Sequence, residues 1–283
     1  MLKLRVSHRT EIRYPGPVVE SVNHVRLTPR TNDRQLVREA RLTTFPEAAV
    51  STYRDAFENE VAWFQIHQPH DRLVIESHAT VEPAPPLRPN TAALTLASWE
   101  ALDAADYRDE LADFLAPSTL VSWGGAIDAF DRELGIEAGT PGEWLVAAEL
   151  AVAGAIVYAP GFTHTDTPIE RVLQIRRGVC QDLAQTFIAL ARRRGIATRY
   201  VSGWLWEPTV EGPTESHAWA EAFLPRAGWV QFDPTHPDPD LTRYARIGVG
   251  RDYADVPPVR GSYVGPATDS MSVEVTVERL DES

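Results

Sequence analysis

Arg176-Arg177-Gly178-Val179-Cys180-Gln181-Asp182-Leu183-Ala184 is the stretch on which the reading of the chain turns, and it holds the only cysteine. Beyond it, Leu183, Ala184, Phe187, Ile188 and Ala191 recur at three- and four-residue steps, and Gly195 ends the run. That spacing predicts a helix. Gly178 permits a tight backbone just before it. Cys180 therefore falls at or near the first helical turn, where unpaired N–H groups and the positive end of the helix dipole gather. Both favour thiolate, the nucleophilic form of the side chain. A lone cysteine is also often a small buried core residue, and position alone leaves both readings open.

The flanking sequence supplies possible partners. Thr167-Pro168-Ile169-Glu170 reads as a helix start, with Thr167 as cap, Pro168 at the first position and Glu170 closing a capping box. After Gly195, residues 197–203 read as a strand. A loop over residues 207–215 leads to Ser216-His217-Ala218-Trp219-Ala220-Glu221-Ala222-Phe223. This stretch alternates, with His217, Trp219, Glu221 and Phe223 on one face and alanines on the other. Pro225-Arg226-Ala227-Gly228 turns the chain, and Trp229-Val230-Gln231-Phe232-Asp233 returns as a strand that Pro234 and Pro237 terminate.

Thiol acyl transfer needs a thiolate, a base that takes and returns its proton, and a group that orients the base. Cys180, His217 and Asp233 stand in that order. Imidazole suits the second role because its pKa lies near neutrality. A carboxylate at its other nitrogen fixes the tautomer, and backbone N–H groups at the start of the cysteine helix suit an oxyanion hole. Each residue also has a structural reading, since strand histidines are commonly core groups and an aspartate before proline commonly forms a turn. Register raises one conflict. A loop over 225–228 pairs Leu224 with Trp229, which sets His217 opposite His236 and leaves Asp233 three residues away. A bulge, a diagonal contact or a different turn would close that gap; otherwise His236 is the rival third member.

Taken together, Gly178-Val179-Cys180-Gln181-Asp182, Arg199-Tyr200-Val201-Ser202-Gly203, Ser216-His217-Ala218-Trp219 and Gly228-Trp229-Val230-Gln231-Phe232-Asp233-Pro234-Thr235 resemble the transglutaminase-like core. More narrowly, the chain is similar to bacterial transglutaminase-like proteins described as candidate cysteine proteases. Their N-terminal β domain is matched around Ser21-Val22-Asn23-His24-Val25-Arg26-Leu27-Thr28-Pro29-Arg30, and their C-terminal signature at Gly250-Arg251-Asp252-Tyr253-Ala254-Asp255-Val256-Pro257-Pro258. The resemblance implies an α+β, papain-like core in which the cysteine helix packs on an antiparallel sheet, with a separate N-terminal antiparallel β domain. It implies a catalytic triad of Cys180, His217 and Asp233, and acyl transfer from an amide to the thiol. No cofactor and no metal are expected. Gln181 follows the nucleophile, so it does not occupy the helper-glutamine position of papain-like proteases. Residues 163–167 are the candidate segment for the second oxyanion donor, and residues 251–253 are candidates for the site's rim or for a purely structural loop.

The rest of the chain fits this frame. Residues 1–82 read as short strands at 2–6, 25–27, 41–43, 61–66 and 73–81, forming the N-terminal β domain. His67 and His70 in the turn between the last two are a weak metal pair and a better pair of loop residues. Pro83-Ala84-Pro85-Pro86-Leu87-Arg88-Pro89 is a stiff linker. Helical patterns follow near 99–104, 107–115, 126–134 and 141–153, so 83–150 reads as linker plus helices and 151–283 as the catalytic core. Val273, Val275 and Val277 alternate in a final strand that closes a sheet.

A length of 283 residues allows one large or two modest domains. A net charge of −13 argues against nucleic acid and anionic membranes as partners. The single cysteine excludes an intrachain disulfide framework and any multi-cysteine zinc site. No apolar h-region follows Met1-Leu2-Lys3-Leu4-Arg5-Val6, and no run reaches membrane-spanning length, so a cytoplasmic location is the default expectation. Three functions compete: a cysteine peptidase or amidase, a protein or peptide transamidase with an amine acceptor, and a catalytically silent peptide-binding module. All three take a peptide or protein as partner. Trp204, Trp206 and Trp219 could line a cleft that shelters a thioester from water, or could simply pack in the core.

Overall fold

Period-two apolar alternation in the first part of the chain becomes long antiparallel strands. The structure is a computed structural model that describes residues 2–84, 94–209, 212, 214–237, 240–265 and 268–280. Strands β1 (Lys3–Val18), β2 (Glu20–Val25), β3 (Gln35–Phe45), β4 (Ser51–Arg54), β5 (Glu60–Ile66) and β6 (His70–Pro83) come first. Leu4 and Val6 point inward and are buried, as alternation requires. The proline-rich stretch expected as a linker begins in β6 at Pro83, and its residues from 85 to 89 lie outside the described ones. His67 and His70 point apart. His70 is buried between Ser21 and the Gln68 carbonyl, whereas His67 is exposed beside Glu20.

Helices α1 (Trp99–Leu102), α2 (Ala105–Glu110), α3 (Ala112–Leu115), α4 (Gly125–Leu134) and α5 (Pro141–Ala155) follow. A capping box between Thr140 and Glu143, with Pro141 at the first turn, fixes the start of α5. Next come a short parallel pair, β7 (Val157–Tyr158) with β8 (Arg177–Gly178), and between them α6 (Ile169–Ile175). Helix α7 (Cys180–Arg193) carries the cysteine at its first position, and every residue from Gln181 to Arg192 is buried.

Strands β9 (Thr198–Leu205), β10 (His217–Leu224), β11 (Gly228–Phe232) and β12 (Tyr244–Gly250) form an antiparallel sheet in the order β11-β10-β9-β12. Helix α7 lies on the alanine face of β10. Ala184, Phe187, Ile188 and Ala191 share one core with Ala218, Ala220 and Ala222. Small residues there let helix and sheet approach closely, and Phe187 stacks on Phe232 at 5.4 Å between ring centres. The result is the α+β arrangement of a cysteine helix on an antiparallel sheet.

Two C-terminal strands do not join that sheet. They are β13 (Val259–Val264), paired with β2, and β14 (Ser270–Leu280), paired with β1 over its whole length. The two outer sheets run β14-β1-β6-β3 and β13-β2-β5-β4. The alternation at 273–277 thus marks a strand correctly, and its partner is at the opposite end of the chain.

The N-terminal sheets also secure the outer edge of β12. The Gln35 side-chain amide donates to Arg246 O at 2.7 Å and accepts from Arg246 N at 2.8 Å. The Asn59 amide does the same to Val249, at 2.7 and 2.8 Å. Each amide reproduces the bonds a neighbouring strand would make, so buried edge groups are satisfied without a fifth strand. No helix among the described residues is long and apolar enough to cross a membrane.

Candidate active site

The turn before α7 is shaped by Asp182. Its Oδ2 accepts from Val179 N at 2.8 Å and from Thr163 Oγ1 at 2.7 Å, capping the helix from its third residue. Burial holds this carboxyl above its usual range despite both donors. Gly178 is needed for close approach rather than for an unusual φ, because a Cβ there would lie 2.7 Å from both Cβ and Oδ2 of Asp182. The expected capping box on the preceding helix is not formed. Helix α6 starts after Pro168 with no side-chain cap, and Thr167 Oγ1 instead accepts from His164 N at 2.8 Å. That bond closes the 164–167 turn and takes the hydroxyl away from the helix end.

Two strands deliver the other groups. The β10–β11 hairpin is one residue tighter than the sequence reading, with Leu224 opposite Gly228 and Phe223 opposite Trp229. Gly228 adopts φ +72° and already opens β11. The ladder ends at the pair Ala220–Phe232. Asp233 then leaves the sheet and turns toward His217, and Oδ2 lies 2.6 Å from His217 Nε2. His236, the rival partner, sits with its ring centre 5.4 Å from that of His217, and its Nε2 faces Glu207 at 3.3 Å.

With Nε2 engaged by Asp233, Nδ1 is the ring nitrogen left for the thiol. Cys180 is partly exposed and borders the same two clefts as His217. Burial disfavours the imidazolium, but the Asp233 charge and hydrogen bond, with a smaller contribution from Cys180, push His217 up to about 10. Asp233 is held below its usual range. Burial opposes that shift, and His217 together with the Tyr244 hydroxyl overcomes it.

Two partners of Asp233 carry no signal in the sequence. Tyr244, the first residue of β12, donates its hydroxyl to Oδ2 at 2.8 Å. Glu149 on α5 accepts from Asp233 N at 2.6 Å through Oε1. Thr235 N donates to Oδ1 at 2.9 Å. The carboxylate is therefore held from two strands and its own turn, and the Asp233 main chain from a helix.

Two clefts meet at Cys180 and His217. One, of about 180 Å³, is bordered by Tyr158, Glu207, Glu215, His236 and Val277. The other, of about 340 Å³, is bordered by Thr165, Val179, Gln181, Tyr253, Met271 and Val273. Gln181 Nε2 donates to Thr165 O at 2.9 Å, which ties the expected 163–167 segment to the start of α7. Of residues 251–253, Tyr253 reaches the larger cleft. Asp252 is buried and accepts from Leu120 N and Ala254 N. Trp204 and Trp219 are 0% and 1% exposed and line neither cleft, so they belong to the core. Among the described residues no group of three or more His, Cys, Asp or Glu is placed to hold a metal.

Comparison with known proteins places this geometry. Residues 4–82 match the model of the bacterial transglutaminase-like N-terminal region, and residues 129–234 match that of the transglutaminase-like superfamily. An uncharacterized protein of Mycobacterium leprae is 34% identical over 99% of this chain and 100% of its own length. One of Mycobacterium tuberculosis is 36% identical over 98% of this chain and 92% of its own. The crystal structure of a candidate cysteine protease from Cytophaga hutchinsonii superimposes with a TM-score of 0.80 at 19% identity, covering 100% of this chain and 92% of that one. At that identity the likeness is one of fold.

Proposed function

The chain belongs to the transglutaminase-like superfamily, and from that premise we propose that it is a thiol-dependent acyl-transfer enzyme acting on peptide or protein amide bonds, as a cysteine peptidase or amidase. The observation that carries this reading is the meeting of Cys180, His217 and Asp233 at the junction of two clefts, with Asp233 2.6 Å from the imidazole. Cys180 is the nucleophile. Its proton rests on Nδ1 of His217, whose ring Asp233 keeps charged, and sulfur bonds to the amide carbon. The same proton then passes to the leaving amine as the C–N bond breaks, and water hydrolyses the thioester with His217 again as base. Asp233 holds the ring in place and stabilises its charged form. The N–H of Cys180, at the first position of α7, has no acceptor within the helix and suits one half of an oxyanion hole.

Hydrolysis is favoured over transfer to an amine because none of Trp204, Trp206 and Trp219 lines either cleft, so none shelters the acyl-enzyme. A cytoplasmic site of action belongs to the same reading, and fractionation of cells checks it. The decisive experiment has two parts. Cys180 in the folded protein should be alkylated by iodoacetamide near neutral pH faster than a small-molecule thiol. A peptide library should be cleaved by the native chain and left intact by Cys180→Ala. A Cys180 that is inert in the folded protein, with no cleavage, would return the chain to a silent binding module.

A further inference from the structure

The larger cleft is closed on one side by strand β14, which is the edge strand of its sheet. Its pairing with β1 runs without a shift from Leu280 to Ser270. In an antiparallel strand the backbone N–H and C=O of successive residues point alternately to the two sides. The side on which Val275 faces is fixed by its contact with Thr214. Thr214 N donates to Val275 O at 2.6 Å, and Val275 N donates to Thr214 O at 2.9 Å. Val275 therefore turns its main-chain groups away from β1, and Val273 and Met271 do the same. Among the described residues, Thr214 is the one backbone partner on that edge.

Past Thr214 the chain swings away to His217 and opens the cleft between Ser216-His217-Ala218 and the Met271–Val273 edge. Cys180 borders the same cleft. An accepting strand edge thus borders the same cleft as the nucleophile, already occupied at one residue by the protein's own chain and, among the described residues, open at the next.

We propose that this edge is the main-chain docking site for substrate: an extended peptide adds to β14 as a short antiparallel strand, pairing with Val273 and reaching toward Met271, and is thereby laid across Cys180. This rests on the reading of Cys180 as nucleophile. Strand addition supplies affinity from backbone hydrogen bonds and leaves side chains to alternate between cleft wall and solvent. The Val273 N–H donates to a substrate carbonyl, and the Val273 carbonyl accepts a substrate N–H. The docked substrate is therefore a peptide of several residues with a free main-chain N–H at the paired position, not a single amino-acid amide.

The test removes one bond at a time. Val273→Pro deletes an N–H that faces the cleft rather than β1, a place where an edge strand tolerates proline. Cleavage of the best library peptide should fall about tenfold in kcat/KM, through KM, the loss of one such hydrogen bond. Alkylation of Cys180 and hydrolysis of a single-residue thioester should be unchanged. The second arm leaves the protein untouched: N-methyl groups are scanned along the same peptide. A loss of about tenfold at one position away from the scissile bond, where the substrate N–H meets the Val273 carbonyl that Val273→Pro leaves in place, supports the docking. Equal tolerance of N-methylation at every such position, or a Val273→Pro enzyme with intact alkylation and native peptide kinetics, overturns it. If the native chain is neither alkylated nor active, the nucleophile assignment fails instead, and the two failures are told apart by that measurement.

Discussion

Both oxygens of Asp233 are engaged inside the protein, one by Thr235 N and the other by His217 and Tyr244. This sets two limbs of any pH–rate profile. The upper limb reports loss of the imidazolium proton, which the carboxylate holds on up to about pH 10. Asp233→Asn removes the charge and leaves burial as the larger influence, so the upper limb should move down and kcat/KM should fall by roughly 10²–10⁴-fold. Tyr244→Phe acts on the other limb. The phenol hydroxyl helps hold Asp233 below its usual range, so its loss should move the acidic limb upward, with a smaller loss of rate. Profiles of kcat/KM for the two variants check this, and limbs that stay in place would leave Tyr244 a packing residue. Cys180, His217 and Asp233 can be singled out in the sequence because each sits in a local motif. Tyr244 and Glu149 cannot, because a strand tyrosine and a helix glutamate carry no local mark of the aspartate they meet in space.

At the scale of elements, β10 shows where pattern reading succeeds and where it stops. Alternation correctly sets the alanines toward α7 and the larger residues away. The partner register differs by one residue from the sequence expectation because Gly228, at φ +72°, serves as the first strand residue and not as the last loop residue. Whether a turn glycine belongs to loop or strand is decided by twist and packing, which no local count contains. The face away from α7 holds a further group the alternation could place but not explain. Glu221 is 2% exposed and meets Arg199 at 2.5 Å and Arg246 at 3.4 Å. Burial works against its charge, but the guanidinium groups of Arg199, Arg246 and Arg34 bring it to about 2. The folded value lies below the ordinary 4.5. Its contribution is therefore fully present above pH 4.5 and disappears as pH falls toward 2. Glu221→Gln should leave the half-buried guanidinium groups of Arg199 and Arg246 uncompensated and lower stability at neutral pH by about 3 kcal/mol, the low end of what breaking a buried pair costs. Urea unfolding of the two proteins at pH 7 and pH 3 should show the gap narrowing at the lower pH.

Across the whole molecule, both ends of the chain build the β unit that carries the core sheet, and β1 pairs with β14 residue by residue. Composition and alternation announced strands at each terminus, but long-range pairing leaves no trace in either segment taken alone. One of the contacts joining this unit to the core is also a titrating one. His8 of β1 accepts through Nδ1 from the buried Trp204 indole N–H of β9 at 3.0 Å, and its Nε2 lies 3.3 Å from Thr10 Oγ1. The ring is therefore neutral, with its proton on Nε2. Burial lowers its pKa from 6.5 to about 4. Between those values the unfolded chain takes up a proton that the folded chain refuses, so stability from this group is complete above pH 6.5 and is lost as pH falls through 4. The span corresponds to about 3 kcal/mol. His8→Gln keeps an acceptor for Trp204 but cannot titrate. Chemical unfolding at pH 7.5 and 4.5 should show the native chain losing about 3 kcal/mol more than the variant over that interval. Equal losses would mean that His8 is reached by water and that the seam between β unit and core is looser than its geometry. Because His8 and β14 border the cleft beside Cys180, acid that weakens this seam should also lower peptide cleavage before it lowers cleavage of a single-residue thioester.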